Sequence, residues 1–289
     1  MFFDISVFEV FNSIKFYSRD HTYKINDVVT PLSVTRFLNI FSPYFDTKQR
    51  AQKTALKQNI DVQTVLREWD YEKEVACFKG TILHNYIDNF LNKKILPLNK
   101  EEIDLFFKQK QKELNIKDDF ILKIAKLIIQ FKSFYNNFYK NRFIHFKSEY
   151  VVGDVDDTMI CGTIDNLSVC KESNTLYILD YKTNKKFTTI NNYNTYLNYP
   201  VNALQDTKLN IYSLQLSMYG YILQKYTNLT PKYILVWFNE ENDTYKLYDG
   251  IDYTLEIKSM IDHYKFTNKQ SNLSPLLTST QDYIMSIGS

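Results

Sequence analysis

The chain has 289 residues, of which 44% are hydrophobic and 24% charged, and its formal net charge at pH 7 is +2. This composition is typical of one large or two small globular domains and excludes a low-complexity or highly charged polypeptide. With so small a net charge, a nucleic-acid partner would have to be held by local basic patches. The chain contains 23 Tyr and 21 Phe but only 6 Gly and 6 Pro, which predicts large amphipathic surfaces and few flexible linkers.

The three cysteines, Cys77, Cys161 and Cys170, are odd in number and lack the spacing of a zinc site. We therefore expect reduced thiols in the core and an intracellular, reducing compartment, either the cytoplasm or the nucleoid. Asp4 and Glu9 interrupt the N-terminal segment, which argues against a secretory signal, and no apolar run has the length of a membrane span. GxxxxGK[ST] and GxGxxG are absent, so no nucleotide cofactor is expected. The richness in Lys, Asn, Ile and Tyr fits an AT-rich genome, for example a viral one.

The first part of the chain mixes short strands with helices. Residues 1–30 predict one or two strands, and the hydroxyl groups at 30–35 predict the start of a helix. Two further helices, at 47–58 and from Asp61, have polar faces and are expected at the surface.

Apolar residues at helical spacing predict a helix at 74–93. Its His84 shares one stripe with Thr81 and Asp88, and a lone histidine on a helix is more often structural than a ligand. Gly80 lies one turn before His84. Since glycine inside a helix costs about 1 kcal/mol relative to alanine, we expect another group to approach closely there.

A charged helix is predicted at 101–115, and a longer one at 118–142 with Asp118 or Asp119 as its cap. No acidic residue lies between Asp119 and Glu149, whereas six cations are interleaved with aromatic residues there. Such a run is either a solvated face or a nucleic-acid face, and the sequence leaves both open.

Three strands follow at 145–153, 159–170 and 175–182, and then a loop at 184–208 that is long enough to be functional or disordered. The remaining elements are a helix at 209–226, strands at 232–238 and 244–249, and a helix at 251–266. This order predicts an α/β (α+β) fold with a mixed central sheet flanked by helices.

The third of these strands ends in Asp180, Tyr181 and Lys182. Side-chain alternation places Asp180 and Lys182 on one face and Tyr181 on the other. Asp165 in the preceding strand would meet Asp180 if the hairpin register brings the two abreast. Carboxylates can bind a divalent metal, and a neighbouring lysine can orient or deprotonate a water molecule and offset phosphate charge. The DxK pattern by itself is a weak signal, since it recurs at 46–48 and 206–208.

Four short motifs resemble the PD-(D/E)XK nuclease superfamily in its RecB-like branch, whose patterns are GxxxH, D, (D/E)xK and QxxxY in that order. They are GTILH at 80–84, Asp165, DYK at 180–182 and QLSMY at 215–219. The segment SVTRFLNIFSPYFD, followed by Trp69, resembles the amino-terminal region of stand-alone phage and mitochondrial-type exonucleases of this branch. The resemblance implies a restriction-endonuclease-like core at 76–267, an N-terminal strand and helical extension at 1–75 packed on it, and a polar tail at 268–289.

The resemblance also implies roles for individual residues. His84, Asp165, Asp180 and the backbone carbonyl of Tyr181 correspond to metal ligands, and Lys182 corresponds to the catalytic lysine. Gln215 and Tyr219 correspond to a pair that borders the active site and contacts the DNA strand. Glu149 is either a further metal ligand or an ordinary strand-surface residue. The residues expected to contact nucleic acid are Arg36, Lys132, Lys140, Arg142, Lys185, Lys186, Tyr193 and Tyr196.

By this resemblance the chain is expected to be a deoxyribonuclease that uses one or two Mg²⁺ or Mn²⁺ ions. It would act as an exonuclease on DNA ends or single strands, with a separate helicase or replication proteins as partners and no membrane. Some relatives hold an iron–sulfur cluster through four cysteines; with three, none is expected here. Two other classes stay open, a nuclease fold that binds DNA or supports assembly without turnover and an RNA endonuclease of the cap-snatching type.

Overall fold

The computed structural model describes residues 4–17, 20–93 and 119–268. After a 3-10 helix at Ile5–Ser13, the elements are β1 (Ile14–Tyr17), β2 (Thr22–Ile25), β3 (Val28–Val29), α1 (Val34–Asn39), α2 (Thr47–Gln58), α3 (Val62–Leu91), α4 (Phe120–Phe134), β4 (Phe143–Gly153), β5 (Cys161–Cys170), β6 (Leu176–Lys182), α5 (Lys208–Thr227), β7 (Lys232–Trp237), β8 (Lys246–Asp249) and α6 (254–268). A π-helical turn at Tyr135–Tyr139 and a short helix at Lys140–Arg142 continue α4 up to β4.

A five-stranded mixed sheet forms the centre of the molecule, in the spatial order β4-β5-β6-β7-β8. β4, β5 and β6 pair as antiparallel neighbours, as expected for strands joined by short turns. The connection that contains α5 is long enough for β7 to pair with β6 in parallel, and β8 then returns antiparallel to β7. The predicted mixed sheet flanked by helices is confirmed.

Helices cover both faces of the sheet, because successive side chains of each strand point to opposite sides. The neighbours Ile178 and Leu179 show this alternation. Ile178 belongs to a core that also contains Leu216 of α5, whereas Leu179 belongs to a second core with Leu83 of α3 and Phe131 of α4. The sheet is therefore the middle layer of three.

The N-terminal region is part of the first of these cores. Phe8 and Phe11 of the 3-10 helix and Ile25 of β2 are buried together with Val152 of β4. This region contains three strands in an antiparallel meander, not the predicted one or two, and the 3-10 helix precedes them. α3 runs without interruption past residue 75, so the proposed division into 1–75 and 76–267 stays a prediction.

Side-chain caps begin several helices where the sequence predicts them. Ser33 Oγ accepts from the backbone N–H of Arg36 (3.2 Å) at the start of α1, within the predicted helix start at 30–35. Asp61 Oδ2 accepts from the backbone N–H of Thr64 (2.9 Å) at the start of α3. Asp119 occupies the cap position of α4, but its side chain makes no capping bond there.

Two expectations about α3 need correction. The helices predicted from Asp61 and at 74–93 are a single helix of 30 residues, since the charged residues at 72–74 lie on its exposed side and do not end it. At Gly80 an added methyl group would meet only Thr183 Oγ1 among the described residues, at 3.6 Å, which is ordinary contact. No protein group therefore requires a glycine there. The helix predicted at 101–115 and the tail after residue 268 lie outside the described residues.

Two further sequence expectations concern the cysteines and the long loop. Cys161 and Cys170 are buried as predicted, but Cys77 is exposed on α3. The loop between β6 and α5 has no helix or strand, yet Leu197 and Val201 are buried in the first core and anchor it. Within the three described ranges, none of the helices combines the length and apolar character that a membrane span requires.

Candidate metal centre and active site

Asp165 and Asp180 stand abreast on neighbouring strands. The register of β5 and β6 pairs Asn166 with Leu179, which places Asp165 opposite Asp180 one step further along. Asp165 Oδ2 also accepts a hydrogen bond from the backbone N–H of Tyr181 (2.8 Å), and this bond holds the carboxylate in place. The register is the one that a shared metal site requires.

α3 brings His84 to these strands. Its Nδ1 lies 3.3 Å from Glu149 Oε1 and 3.6 Å from Asp165 Oδ1, while its Nε2 lies 3.0 Å from the carbonyl oxygen of Tyr181. His84, Glu149 and Asp165 each offer one ligand atom, and the three atoms lie within 4.8 Å of one another. This cluster fits a divalent metal ion. The Tyr181 carbonyl faces the imidazole, and its role as a metal ligand stays a prediction.

The backbone of Glu149 is unusual for a strand. Its φ is +46°, a value that residues other than glycine rarely adopt. The pairing of β4 with β5 is also irregular nearby, between His145 and Lys147. Strained backbone persists only where its surroundings hold it, and it concentrates at functional sites. This observation favours Glu149 as a member of the site over an ordinary surface residue.

Lys182 connects Asp180 to α5. Its Nζ lies 2.7 Å from Asp180 Oδ2, donates to Gln215 Oε1 (3.2 Å) and stands 4.5 Å from the centre of the Tyr212 ring. Gln215 Nε2 in turn donates to Tyr219 OH (3.2 Å). The Tyr219 ring is buried, so here it holds Gln215, and the contact with DNA that the resemblance implies stays a prediction.

Gly162 makes room for Tyr219. A Cβ atom at Gly162 would lie 2.6 Å from Tyr219 Cε1 and 3.0 Å from Val34 Cγ2. The sequence did carry a signal for this contact, because a glycine inside a strand marks a place where another group approaches closely.

The charges of the site shift the pKa values of its central groups. Burial by itself would lower the pKa of His84, but the carboxylates of Asp165 and Glu149 outweigh it and raise that pKa to about 9. Burial raises the pKa of Asp180 to about 6 although Lys182 opposes it, and burial raises the pKa of Asp165 although His84 opposes it. Burial would lower the pKa of Lys182, yet Asp180 and Asp165 raise it. Lys182 is therefore an ammonium group at neutral pH.

Asp180 Oδ2 is a buried oxygen that accepts no well-aligned hydrogen bond from the described residues. The ammonium of Lys182 lies 2.7 Å away and compensates its charge, but the direction of approach does not suit a hydrogen bond. Lys182 is therefore the group that compensates this buried carboxylate in the described part of the chain.

A buried network of hydrogen bonds joins β5 and β6 on the side of the sheet opposite to Asp165 and Asp180. Asn166 Nδ2 donates to Tyr181 OH (2.7 Å), and Ser168 Oγ donates to Asn166 Oδ1 (2.6 Å) and contacts Tyr139 OH (2.7 Å). Asn166 follows Asp165, and Tyr181 follows Asp180, so the network fixes the neighbours of both acids. Its signal in the sequence was the pair Asn166 and Ser168, two polar residues at alternating positions of β5 that therefore point to the same side of the sheet.

Five of the residues expected to contact nucleic acid lie on α1 or on the loop after β6, and all are exposed: Arg36, Lys185, Lys186, Tyr193 and Tyr196. Lys185 Nζ lies 3.3 Å from Glu72 Oε1, and an exposed ion pair of this kind contributes little free energy. These side chains are accessible to a ligand.

Lys132, Lys140 and Arg142 are exposed as well, whereas the aromatic residues beside them are buried or half-buried. Phe131 and Phe134 are fully buried. Arg142 precedes the first residue of β4, which pairs with Cys170, five residues beyond Asp165 and so roughly 17 Å away along the strand. This basic surface is separate from the acidic cluster, and a contact with nucleic acid there stays a prediction.

The other two DxK triplets begin helices. Asp46 Oδ1 accepts from the backbone N–H of Gln49 (2.8 Å), and Thr207 Oγ1 accepts from the backbone N–H of Asn210 (3.1 Å). The triplet at 180–182 differs from both because it lies in a buried strand.

No known protein family matches the chain, and no curated protein does. Among solved structures, the chain is similar to an exonuclease candidate from Eubacterium rectale, with a TM-score of 0.39 and 12% sequence identity. The match covers 65% of this chain and 64% of that one, so the chain spans less than two thirds of the length of that structure. A similarity of this size says nothing about activity.

Proposed function

We propose that this protein is a divalent-metal-dependent nuclease that hydrolyses phosphodiester bonds in DNA. One observation carries the proposal: the ligand atoms of His84, Glu149 and Asp165 converge within 4.8 Å beside the buried pair of Asp180 and Lys182. Clustered carboxylates suit a metal ion, and a buried ammonium next to them suits a phosphate group.

The residues present fit Mg²⁺ or Mn²⁺. Glu149, Asp165 and Asp180 supply the carboxylate oxygens that these ions prefer, and His84 supplies one nitrogen. Asp180 Oδ2 is a further buried carboxylate oxygen beside this cluster, and the Lys182 ammonium lies 2.7 Å from it. When bound, such an ion lowers the pKa of a water molecule and offsets the charge of phosphoryl oxygens.

Two side chains of the protein, Lys182 and His84, would bind the phosphate and orient the metal ligands. Lys182 is held as an ammonium by Asp180 and Gln215, where it can attract a phosphoryl oxygen. The bond between His84 Nε2 and the Tyr181 carbonyl orients the imidazole so that Nδ1 faces the carboxylates. The raised pKa of Lys182 favours charge neutralisation over proton abstraction as its role.

The finer parts of the proposal concern the substrate and its handling. Exposed Lys185, Lys186, Tyr193 and Tyr196 suit contacts with phosphates and base faces, which follow a strand without reading its sequence. This favours an exonuclease acting on DNA ends or single strands. The PD-(D/E)XK membership, the site roles, an intracellular location and a separate helicase or replication partner belong to the same proposal.

Digestion of end-labelled linear, circular and single-stranded DNA, with Mg²⁺ or with EDTA, tests the proposal. We expect metal-dependent degradation of linear and single-stranded DNA and no cleavage of circles. Asp180→Ala should lower the rate at least about 100-fold. Lys15→Ala, which removes an exposed ion pair with Asp27, should leave it unchanged.

Wild-type protein that cleaves no DNA under any of these conditions would contradict the proposal. In a parallel assay with single-stranded RNA, cleavage of RNA alone would identify an RNA endonuclease. Absence of both cleavage and a saturable metal site would identify a nuclease fold that binds or assembles without turnover.

A further inference from the structure

Large aromatic side chains are exposed on two segments that lie far apart in the sequence. Tyr44 and Tyr193 are each 89% exposed, Tyr199 is 66% exposed and Phe45 is 54% exposed. Burying one such ring is worth several times the thermal energy, so four exposed rings require an explanation. We call these four side chains the aromatic platform.

The two segments are joined by Asn198. Its backbone N–H donates to the carbonyl of Phe41 (2.7 Å), and its Nδ2 donates to the carbonyl of Ser42 (2.8 Å). Ser42 lies two residues before Tyr44, and Asn198 directly precedes Tyr199. These bonds place the turn after α1, which leads to Tyr44 and Phe45, against the loop that carries Tyr193 and Tyr199.

A basic helix borders the platform. The guanidinium of Arg50 lies 4.4 Å from the centre of the Phe45 ring. Arg50, Lys53 and Lys57 follow at spacings of three and four residues, so they share one face of α2. Lys48 and these three cations are exposed, and neither 47–60 nor 183–205 contains an acidic residue. The acidic residue next to Phe45 is Asp46, which caps α2 through the backbone N–H of Gln49 (2.8 Å), so cations outnumber acids around the platform.

The platform is continuous with the candidate active site through the loop. The loop leaves the sheet directly after Lys182, and Asn184 Oδ1 accepts from Tyr212 OH (3.2 Å). The Tyr212 ring is the one that lies against the Lys182 ammonium, at 4.5 Å. A single DNA strand bound along this loop would reach Lys182, the proposed catalytic lysine.

The chemistry of this surface selects one kind of ligand. Aromatic rings stack on the faces of unpaired bases, and cations beside them bind phosphates. In a duplex the base faces are already stacked, so they are closed to such rings. Lysine is depleted in protein interfaces, so Lys53 and Lys57 beside these rings favour a nucleic acid over a protein partner.

We propose that the aromatic platform and the basic face of α2 bind single-stranded DNA by stacking on its bases, and that they feed the strand along the loop to Lys182. This inference rests on the proposed function for its substrate class. It adds a binding surface from the first sixty residues, with Tyr44, Phe45, Tyr199 and α2.

Fluorescence anisotropy in the Asp180→Ala background, which prevents cleavage, tests the inference. The probes are an oligothymidylate, an abasic oligonucleotide of equal length and a blunt duplex. We expect the oligothymidylate to bind at least about 5-fold more tightly than the abasic strand, because one stacked base contributes about that factor or more. The duplex should bind less tightly than the oligothymidylate.

Matched variants separate stacking from mere apolar contact. Tyr193→Phe keeps a ring and should bind like the parent, whereas Tyr193→Leu keeps apolar surface without a ring and should lose the preference over the abasic strand. Lys53→Ala should weaken both single strands equally and reduce the salt dependence of binding by about one charge.

Equal binding of the abasic strand and oligothymidylate would overturn the inference, as would equal behaviour of the Phe and Leu variants. Metal-dependent DNA cleavage by the wild-type protein together with either result would leave the proposed function standing. If the protein prefers DNA with bases over abasic DNA but cleaves none, the binding role of the aromatic platform would be supported. The proposed nuclease activity would be contradicted.

Discussion

The ammonium group of Lys182 is enclosed by an acidic, an amide and an aromatic side chain of the site. Asp180 lies 2.7 Å from its Nζ, Gln215 accepts its hydrogen bond at 3.2 Å, and the Tyr212 ring closes the third side. Only 16% of the side chain is exposed, so its surroundings suit the shape of an ammonium group and leave little room for a larger cation.

We therefore expect Lys182→Arg to fail as a replacement. The planar guanidinium keeps the charge but cannot occupy the same point between Asp180 and Gln215. Metal-dependent cleavage should fall at least about 100-fold, with the circular dichroism spectrum unchanged. Activity within a few-fold of wild type would show that charge alone suffices at this position.

Two glycines form a matched test of the residue contacts around the site. Gly162→Ala would bring Cβ to 2.6 Å from the buried Tyr219 ring, whereas Gly80→Ala would meet only Thr183 Oγ1, at 3.6 Å. We expect thermal unfolding to show a loss of about 1–3 kcal/mol for Gly162→Ala and a gain of up to about 1 kcal/mol for Gly80→Ala. Equal effects of the two substitutions would contradict the packing described for Tyr219.

At the scale of elements, the strands and helices were largely predictable, but the contacts between them were not. Apolar strand patterns and helix caps such as Ser33 and Asp61 are local signals, so they predict element type and start. The left-handed φ of Glu149 and the bond from Asn166 to Tyr181 depend on partners distant in the sequence. α3 was predicted as two helices, and the structure shows that it runs from Val62 to Leu91 without a break.

The loop between β4 and β5 is tied to α5 through Asp154. Lys225 Nζ lies 2.5 Å from Asp154 Oδ1, Tyr226 OH donates to the same oxygen (2.8 Å), and the backbone N–H of Thr158 donates to Oδ2 (3.1 Å). Burial by itself would raise the pKa of Asp154, but these donors outweigh it and hold the pKa below its usual value.

The lowered pKa of Asp154 predicts that its contribution to the free energy of unfolding depends on pH. Since the pKa of Asp154 is lower in the folded chain than in the unfolded one, where it is about 3.9, the stabilisation is present above about pH 4. It is lost as the pH falls through the folded value. Asp154→Ala should cost about 1–3 kcal/mol at pH 7, and this difference should shrink below pH 4 in urea unfolding. If the difference in unfolding free energy between wild type and Asp154→Ala did not change with pH, the role of Asp154 would be contradicted. Asp27→Ala, at an exposed aspartate, is the control.

At the scale of the whole molecule, the N-terminal region and the sheet share one core. Phe11 is 2% exposed and lies in the same buried cluster as Val152, Leu216 and Ile257. The sequence suggested an extension packed on a separate nuclease core. It could not show that the packing is continuous, because the aromatic residues of the 3-10 helix follow neither a strand nor an α-helical pattern.

We expect Phe11→Ala to destabilise the whole chain by about 3–5 kcal/mol, since it leaves a cavity in the shared core. In a Trp69→Phe background, which leaves Trp237 on β7 as the fluorophore, the fluorescence transition should shift together with the far-ultraviolet signal. Phe16→Ala, at a position 37% exposed, should shift the fluorescence and far-ultraviolet transitions far less. An N-terminal region that melts alone, with the Trp237 transition unmoved, would contradict a shared core.

Isothermal titration calorimetry with Mn²⁺ measures whether His84, Glu149 and Asp165 bind a divalent metal ion. We predict saturable binding to the wild-type protein, its loss in Asp165→Asn, and its retention in Asp27→Asn, which changes an exposed carboxylate in the N-terminal meander. Unchanged binding in Asp165→Asn, or no saturable binding to the wild-type protein, would contradict the account.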